Sequence, residues 1–373
     1  LADPAVLGLL PIFVLAFVFD YINGFHDTAN AIATSVSTRA LKPEYAILLS
    51  ATANFVGAIV FGTAVAGTIG SGIVQDNLIL GNLTVLAAAL LGAIAWNLIT
   101  WLLAIPSSSS HALIGGLIGA AWAALGMDAV QWANFVAKVV VPLVSSPILG
   151  LLLGLGLMIV LLNMIGRAVP RHAGNVGRRG VGAAKRILGR QPDDPAPSGS
   201  KLTGTPPSRI NDRFRRLQII SATYMALSHG SNDAQKTMGI MTLALYTSGQ
   251  IHDKVVPVWV ILIAATAMSL GTAAGGWRIM KTMGQRVVKL DPVHGFAAET
   301  AAASIILGAS HFGMPVSTTH VISSSIMGVG TSDRINSVRW GVARSIVTAW
   351  VLTIPGAAVI AAFAYGVLHL FGL

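Results

Sequence analysis

The 373-residue chain has no cysteine, which excludes a disulfide framework and any thiolate metal site. Charge is also scarce, at 10% of residues against about 25% in an average soluble domain. Apolar residues make up 54%, and runs near 20 of them recur along the length, so the fold class is an all-α polytopic membrane protein. No Lys or Arg precedes the first apolar run and Asp20 interrupts its end, so that run is expected to be a span and not a cleaved signal. The net charge of +10 is not spread over the chain: residues 163–216 hold 12 of the 24 basic and 3 of the 14 acidic residues. One basic loop is the mark of a cytoplasmic face touching anionic lipid, and it argues against nucleic acid as a partner.

The same bias predicts the topology. Basic residues at 39–42, 166–216, 278–289 and 334–344 all belong inside, so the central loop is cytoplasmic and both termini are outside. The domains expected are a first membrane repeat over 1–165, a basic linker over 166–216 and a second membrane repeat over 217–373. A span over 5–38, broken near Gly24, then runs outside to inside, whereas a broken span over 217–248 runs inside to outside. The two halves are therefore inverted, judged from charge alone.

Within those two spans lie twinned motifs. Asn23-Gly-Phe-His-Asp-Thr-Ala-Asn30 and Ser228-His-Gly-Ser-Asn-Asp-Ala-Gln-Lys236 share a Gly-x-x-Asp core, Asp27 matching Asp233. A second pair, Pro106-Ser-Ser-Ser-Ser-His111 and Pro315-Val-Ser-Thr-Thr-His320, keeps nearly the same offset. The segments beyond these tips are short; Val321–Gly330 would cover only about half a bilayer at 1.5 Å per residue. Both are read as re-entrant hairpins with Ser/Thr tips. Inverted repeats with broken helices are a transporter architecture.

Each tip sets hydroxyls just ahead of a helix N-terminus, whose free N–H groups and positive dipole end suit an anion. Ser108, Ser109 and Ser110, with Ser317, Thr318 and Thr319, are placed to ring a tetrahedral oxyanion; plain N-capping is the competing reading. Ionisable residues at bilayer depth mark coupling sites. Asp27 and Asn30 offer hard oxygen ligands for Na⁺, or Asp27 carries a proton. Asp233, Asn232 and Lys236 form the second-half counterpart, Lys236 pairing with Asp233 three residues earlier. Glu299, another acid in an apolar run and one without a twin, is a further coupling candidate. His26, His111, His229 and His320 flank the motifs as hydrogen-bonding or proton-transfer groups, and Trp96 and Trp101 are expected to pack.

Together these signatures resemble the inorganic phosphate transporter (PiT) family, and Asn23-Gly-Phe-His-Asp-Thr-Ala-Asn-Ala31 looks most like its bacterial Pit-type members. The resemblance implies a homodimer in the cell membrane that imports phosphate by proton symport, the anion travelling bare or as a divalent metal–phosphate complex. No enzymatic activity and no resident cofactor are implied. His26 and Lys236 depart from the sodium-type pattern. Sodium-coupled phosphate or sulfate symport is the alternative on the same fold, and a passive anion channel is a further one. An intramembrane serine hydrolase built on Ser110 and His111 is disfavoured, because adjacent helical residues do not face each other and no Gly-x-Ser-x-Gly elbow is present.

Overall fold

A computed structural model describes residues 4–71, 73–75, 82–168 and 207–372. Among them the chain is nearly all helix, with a lone bridge between Val74 and Val130 in place of strands. The first half comprises α1 (Pro4–Ser37), α2 (Pro43–Val60), α3 (Ala64–Ser71), α4 (Leu83–Leu102), α5 (Ser109–Leu125) and α6 (Val141–Ala168). The second comprises α7 (Pro207–Thr247), α8 (Val258–Ala274), α9 (Pro292–His311), α10 (Thr318–Thr331) and α11 (Trp340–Leu370). The core of the linker, residues 169–206, lies outside the described residues, and its expected C-terminal portion from Pro207 is already helix.

Among the described residues, five helical stretches are long and apolar enough to cross a membrane, and α8 makes a sixth if joined to the residues after its 63° bend. Their outward faces carry apolar side chains, such as Val144, Ile148 and Leu152 on α6 and Val351, Val359 and Phe363 on α11. A surface of that kind needs lipid against it. The run from Trp132 to Ile165 is one span that passes through a π turn at Val136–Val140. Pro142 follows immediately and has no N–H to return to Lys138, so the ladder widens there.

The expected breaks, one near Gly24 and one within the 217–248 span that holds Gly230, do not occur. α1 runs unbroken for 34 residues and α7 for 41. In an apolar surrounding a break would leave N–H and C=O groups unpaired, and these glycines serve a different purpose. A Cβ on Gly24 would meet the backbone of Met268 and Thr272 on α8, and one on Gly230 would meet the backbone of Asn54 on α2. They are points of close helix approach, the usual role of small residues in membrane packing.

The same pattern recurs reciprocally. Gly57 on α2 sits on the Leu227 carbonyl of α7, and its counterpart Gly271 on α8 sits on the Tyr21 carbonyl of α1. α1 and α7 pass each other antiparallel, Asp20 facing Thr237 while Asp27 lies by His229. The hairpins are exchanged between halves: α5 presses Gly115 and Gly119 onto α11, and α10 presses Gly328 onto α6. At one end of the bundle Ser37 meets Gly284, Thr38 bonds Gln218 and Gly330 meets Val288, so the ends that carry the basic segments gather on one side.

The second arms are short. α5 has 17 residues and α10 has 14, reaching about 25 and 21 Å at 1.5 Å per residue, less than a bilayer core of about 30 Å. Both begin at the centre of the molecule, which is where the two halves meet.

Candidate functional site

The centre is built from α1, α7 and the N-termini of α5 and α10. Ser108 and Ser317 are the N-caps, their hydroxyls accepting from the backbone N–H of His111 and His320 at 3.3 and 3.2 Å. For these two residues the capping reading holds. Capping fixes the next two side chains of each tip so that they face inward. Ser109 reaches Asp27 Oδ2 at 3.5 Å, and Thr318 reaches Asp233 Oδ2 at 3.4 Å, which are equivalent contacts in the two halves. Ser110 donates to the Val316 carbonyl at 3.3 Å, tying one tip to the other. Asn30 donates to Thr319 at 2.9 Å and lies 3.4 Å from Thr318, so α1 is joined to the tip of the opposite half.

Both aspartates are essentially buried, and each has a basic neighbour. His26 Nδ1 lies 2.7 Å from Asp27 Oδ1, and the ring's Nε2 lies 3.2 Å from Thr100. Lys236 donates to Asp233 Oδ1 at 2.6 Å, and His229 Nε2 stands 3.4 Å from Asp233 Oδ2. Asp27, His229 and Asp233 each bring a ligand atom within 4.8 Å of the others, a grouping of oxygen and imidazole nitrogen able to hold a cation. Asn30 Oδ1 is buried with no hydrogen-bond partner, so its carbonyl is free to serve as a further hard ligand. Two carboxylates, one ammonium and two imidazoles leave little net positive charge at this centre.

Behind the tips, the His111 and His320 rings pack 4.9 Å apart and His320 stacks on Trp350 at 4.0 Å. These histidines wedge the two tips together. Trp96 packs on Gly356 and donates to Thr353, and Trp101 packs edge-on against Phe25, as expected for scaffold residues.

Two of the candidates stand apart from this cluster. Asn232 turns away and donates to Ser310 of α9 at 2.9 Å. Glu299, fully buried in α9, accepts from Thr34, from Ser221 at 2.5 Å and from Gln218 at 3.3 Å. Since Thr34 lies two helical turns past Asp27, Glu299 occupies a separate level nearer the basic end. The sequence marks His26 and His229 only as groups flanking the motifs. The i, i+4 spacing of His229 and Asp233 becomes legible once α7 is one unbroken helix.

The sequence model of a family described as "Phosphate transporter family" matches residues 23–361. A probable low-affinity inorganic phosphate transporter of Bacillus subtilis is 45% identical over 370 residues, covering 99% of this chain and 99% of that one. A protein of the same description from Rhizobium meliloti is 41% identical over 366 residues, covering 98% and 97%. A solved structure described as the sodium-dependent phosphate transporter superposes with a TM-score of 0.79 at 25% identity, covering 97% of this chain and 99% of that one.

Proposed function

The chain belongs to the phosphate transporter family, and from that premise we propose that it is a secondary carrier moving phosphate inward by cation symport at the centre described above. As a member it is a multi-pass membrane protein that transports phosphate and is not an enzyme. The observation that carries the coupling is a shared set of contacts. The tip hydroxyls that face the anion's place, Ser109, Thr318 and Thr319, are bonded to Asp27, Asp233 and Asn30. Loading the acids with a cation frees Ser109 and Thr318 to donate to phosphate, while Thr319, which accepts from Asn30, keeps its own hydroxyl hydrogen for the anion, and an arriving phosphate favours the loaded acids in turn.

A proton is the favoured coupling ion, because Asp27 and Asp233 already have His26 and Lys236 where a sodium site would leave room for metal. The second reading, sodium, is supported by the unpartnered Asn30 carbonyl and by the name of the structural neighbour. The antiparallel α1 and α7 and the reciprocal glycine contacts support two inverted halves; the gathered basic ends support a cytoplasmic central loop with both termini outside. A homodimer and a metal–phosphate cargo rest on family resemblance.

The test is uptake of radiolabelled phosphate into proteoliposomes under an imposed inward proton gradient or an inward sodium gradient. Accumulation above equilibrium with the proton gradient, abolished by a protonophore, is the expected result. Accumulation with sodium alone would replace the coupling ion. Equilibration without accumulation under either gradient would make the protein a passive pore.

A further inference from the structure

Asp20 has no role in the centre just described. It is fully buried in α1, as are Asn23 on the same helix, Asn97 on α4 and Thr237 on α7. Asp20 faces both Asn23 and Thr237. Yet no hydrogen bond within 3.5 Å and of good geometry reaches either Asp20 oxygen, either amide atom of Asn23 or Asn97, or the Thr237 hydroxyl. Gly8 rests on Leu83 and His26 on Thr100, so α1 lies along α4 in a register that sets Asn97 level with Asn23. Buried polar atoms are nearly always paired, and a carboxylate at bilayer depth is costlier still to leave bare. A concentration of unpaired groups around one acid calls for something to be bound there.

The sequence of α1 adds a second, independent pointer. Asp20-Tyr-Ile-Asn23 repeats the Asp-x-x-Asn step of Asp27-Thr-Ala-Asn30 seven residues earlier. Seven residues are two turns, so the two steps share one face of the unbroken helix about 10 Å apart. The charged groups facing Asp20 are Asp233 and Lys236 of α7, themselves ion-paired. α4 and α8 bring no titratable residue to it, and His26 and Asp27 lie beyond on α1 itself.

We propose that Asp20, framed by Asn23, Asn97 and Thr237, is a second proton-binding site, loaded from the side of the membrane opposite the basic loops before Asp27 takes up its proton. The inference rests on the proton-coupled reading of the centre. The proton adds to one carboxylate oxygen of Asp20, which becomes neutral. The acid then donates to an amide or hydroxyl oxygen of its neighbours and accepts from an Asn amide, pairing groups that otherwise have no partner. When the proton moves on, the carboxylate returns. Asp27 and Asp233 sit at the level of the anion, whereas Asp20 sits two turns away from it, so its occupancy governs supply of the driving ion and not contact with cargo.

The experiment compares two assays in proteoliposomes, proton-gradient-driven phosphate uptake and gradient-free phosphate counterflow, for wild type, Asp20→Asn, Asp20→Glu and Thr237→Val. Asp20→Asn should lower driven uptake by about tenfold or more, within the range of a typical coupling between sites, and keep counterflow near wild type. Asp20→Glu should retain driven uptake. Thr237→Val removes a hydroxyl able to donate to the carboxylate, which favours the protonated form and moves the half-point of uptake to higher external pH. Wild-type driven uptake and pH profile in Asp20→Asn would overturn the proposal, and so would equal loss of driven uptake and counterflow. Should Asp20→Asn fail to purify as a single species, Thr237→Val decides, an unchanged pH profile overturning the site. Wild-type uptake indifferent to a proton gradient would instead sink the coupling reading itself.

Discussion

Asp27→Asn should abolish gradient-driven accumulation of phosphate, a fall of about a hundredfold given the size of couplings between linked sites. The substitution keeps the size of the side chain and its capacity to bond Ser109. It removes the charge that His26 accompanies at 2.7 Å and that a driving proton or cation would neutralise. Since a neutral side chain is cheaper to bury than a carboxylate, the variant should insert and purify as well as wild type. Size-exclusion chromatography beside the uptake assay checks both halves of the expectation. Full accumulation by a monodisperse Asp27→Asn protein would remove Asp27 from coupling and leave Glu299, with its ring of Thr34, Gln218 and Ser221, as the better candidate.

Asp233→Asn should fail differently, in stability before activity. Lys236 is fully buried, and its ammonium donates to Asp233 at 2.6 Å. Breaking a buried pair by removing one partner strands the other charge, at a cost of about 3–5 kcal/mol. A marginally stable protein loses much of its folded population to such a change. Yield and thermal unfolding in detergent should both drop. The double variant Asp233→Asn with Lys236→Met removes the stranded ammonium as well and should recover yield without recovering transport. If Asp233→Asn alone unfolds at the wild-type temperature, Lys236 has another counter-charge and the pair is not structural.

How much of this could be read from residues alone varied with the physics involved. The twinning of Asp27 with Asp233, and of the two Ser/Thr tips, was legible because an acid or a hydroxyl cluster stands out within an apolar run. The tips do meet, Ser110 donating to the Val316 carbonyl, as their matching motifs lead one to expect. Gly24 and Gly230 misled, since a glycine beside a polar residue signals a break equally with a close helix crossing. Only the backbones of Met268 and Asn54 against them decide which. Asn232 was grouped with Asp233 by adjacency, but neighbours on a helix point in different directions, and it bonds Ser310 instead. His26 is the opposite case. Its ring bends back onto the next residue, Asp27, held on its far side by Thr100 of α4, a contact between residues 74 positions apart. Glu299 was found as a buried acid, but its three neutral donors come from α1 and α7, far off in sequence.

On the proposed reading both tips hold one phosphate between them, sharing their hydroxyls with Asp27, Asp233 and Asn30. Titration of phosphate onto the purified protein by calorimetry tests it on Ser109→Ala and Thr319→Ala, one variant from each tip. Each loses a hydroxyl at a buried oxyanion, so each should weaken binding by about 1–3 kcal/mol. Wild-type affinity in both variants would contradict the shared site and reduce the two tips to helix caps.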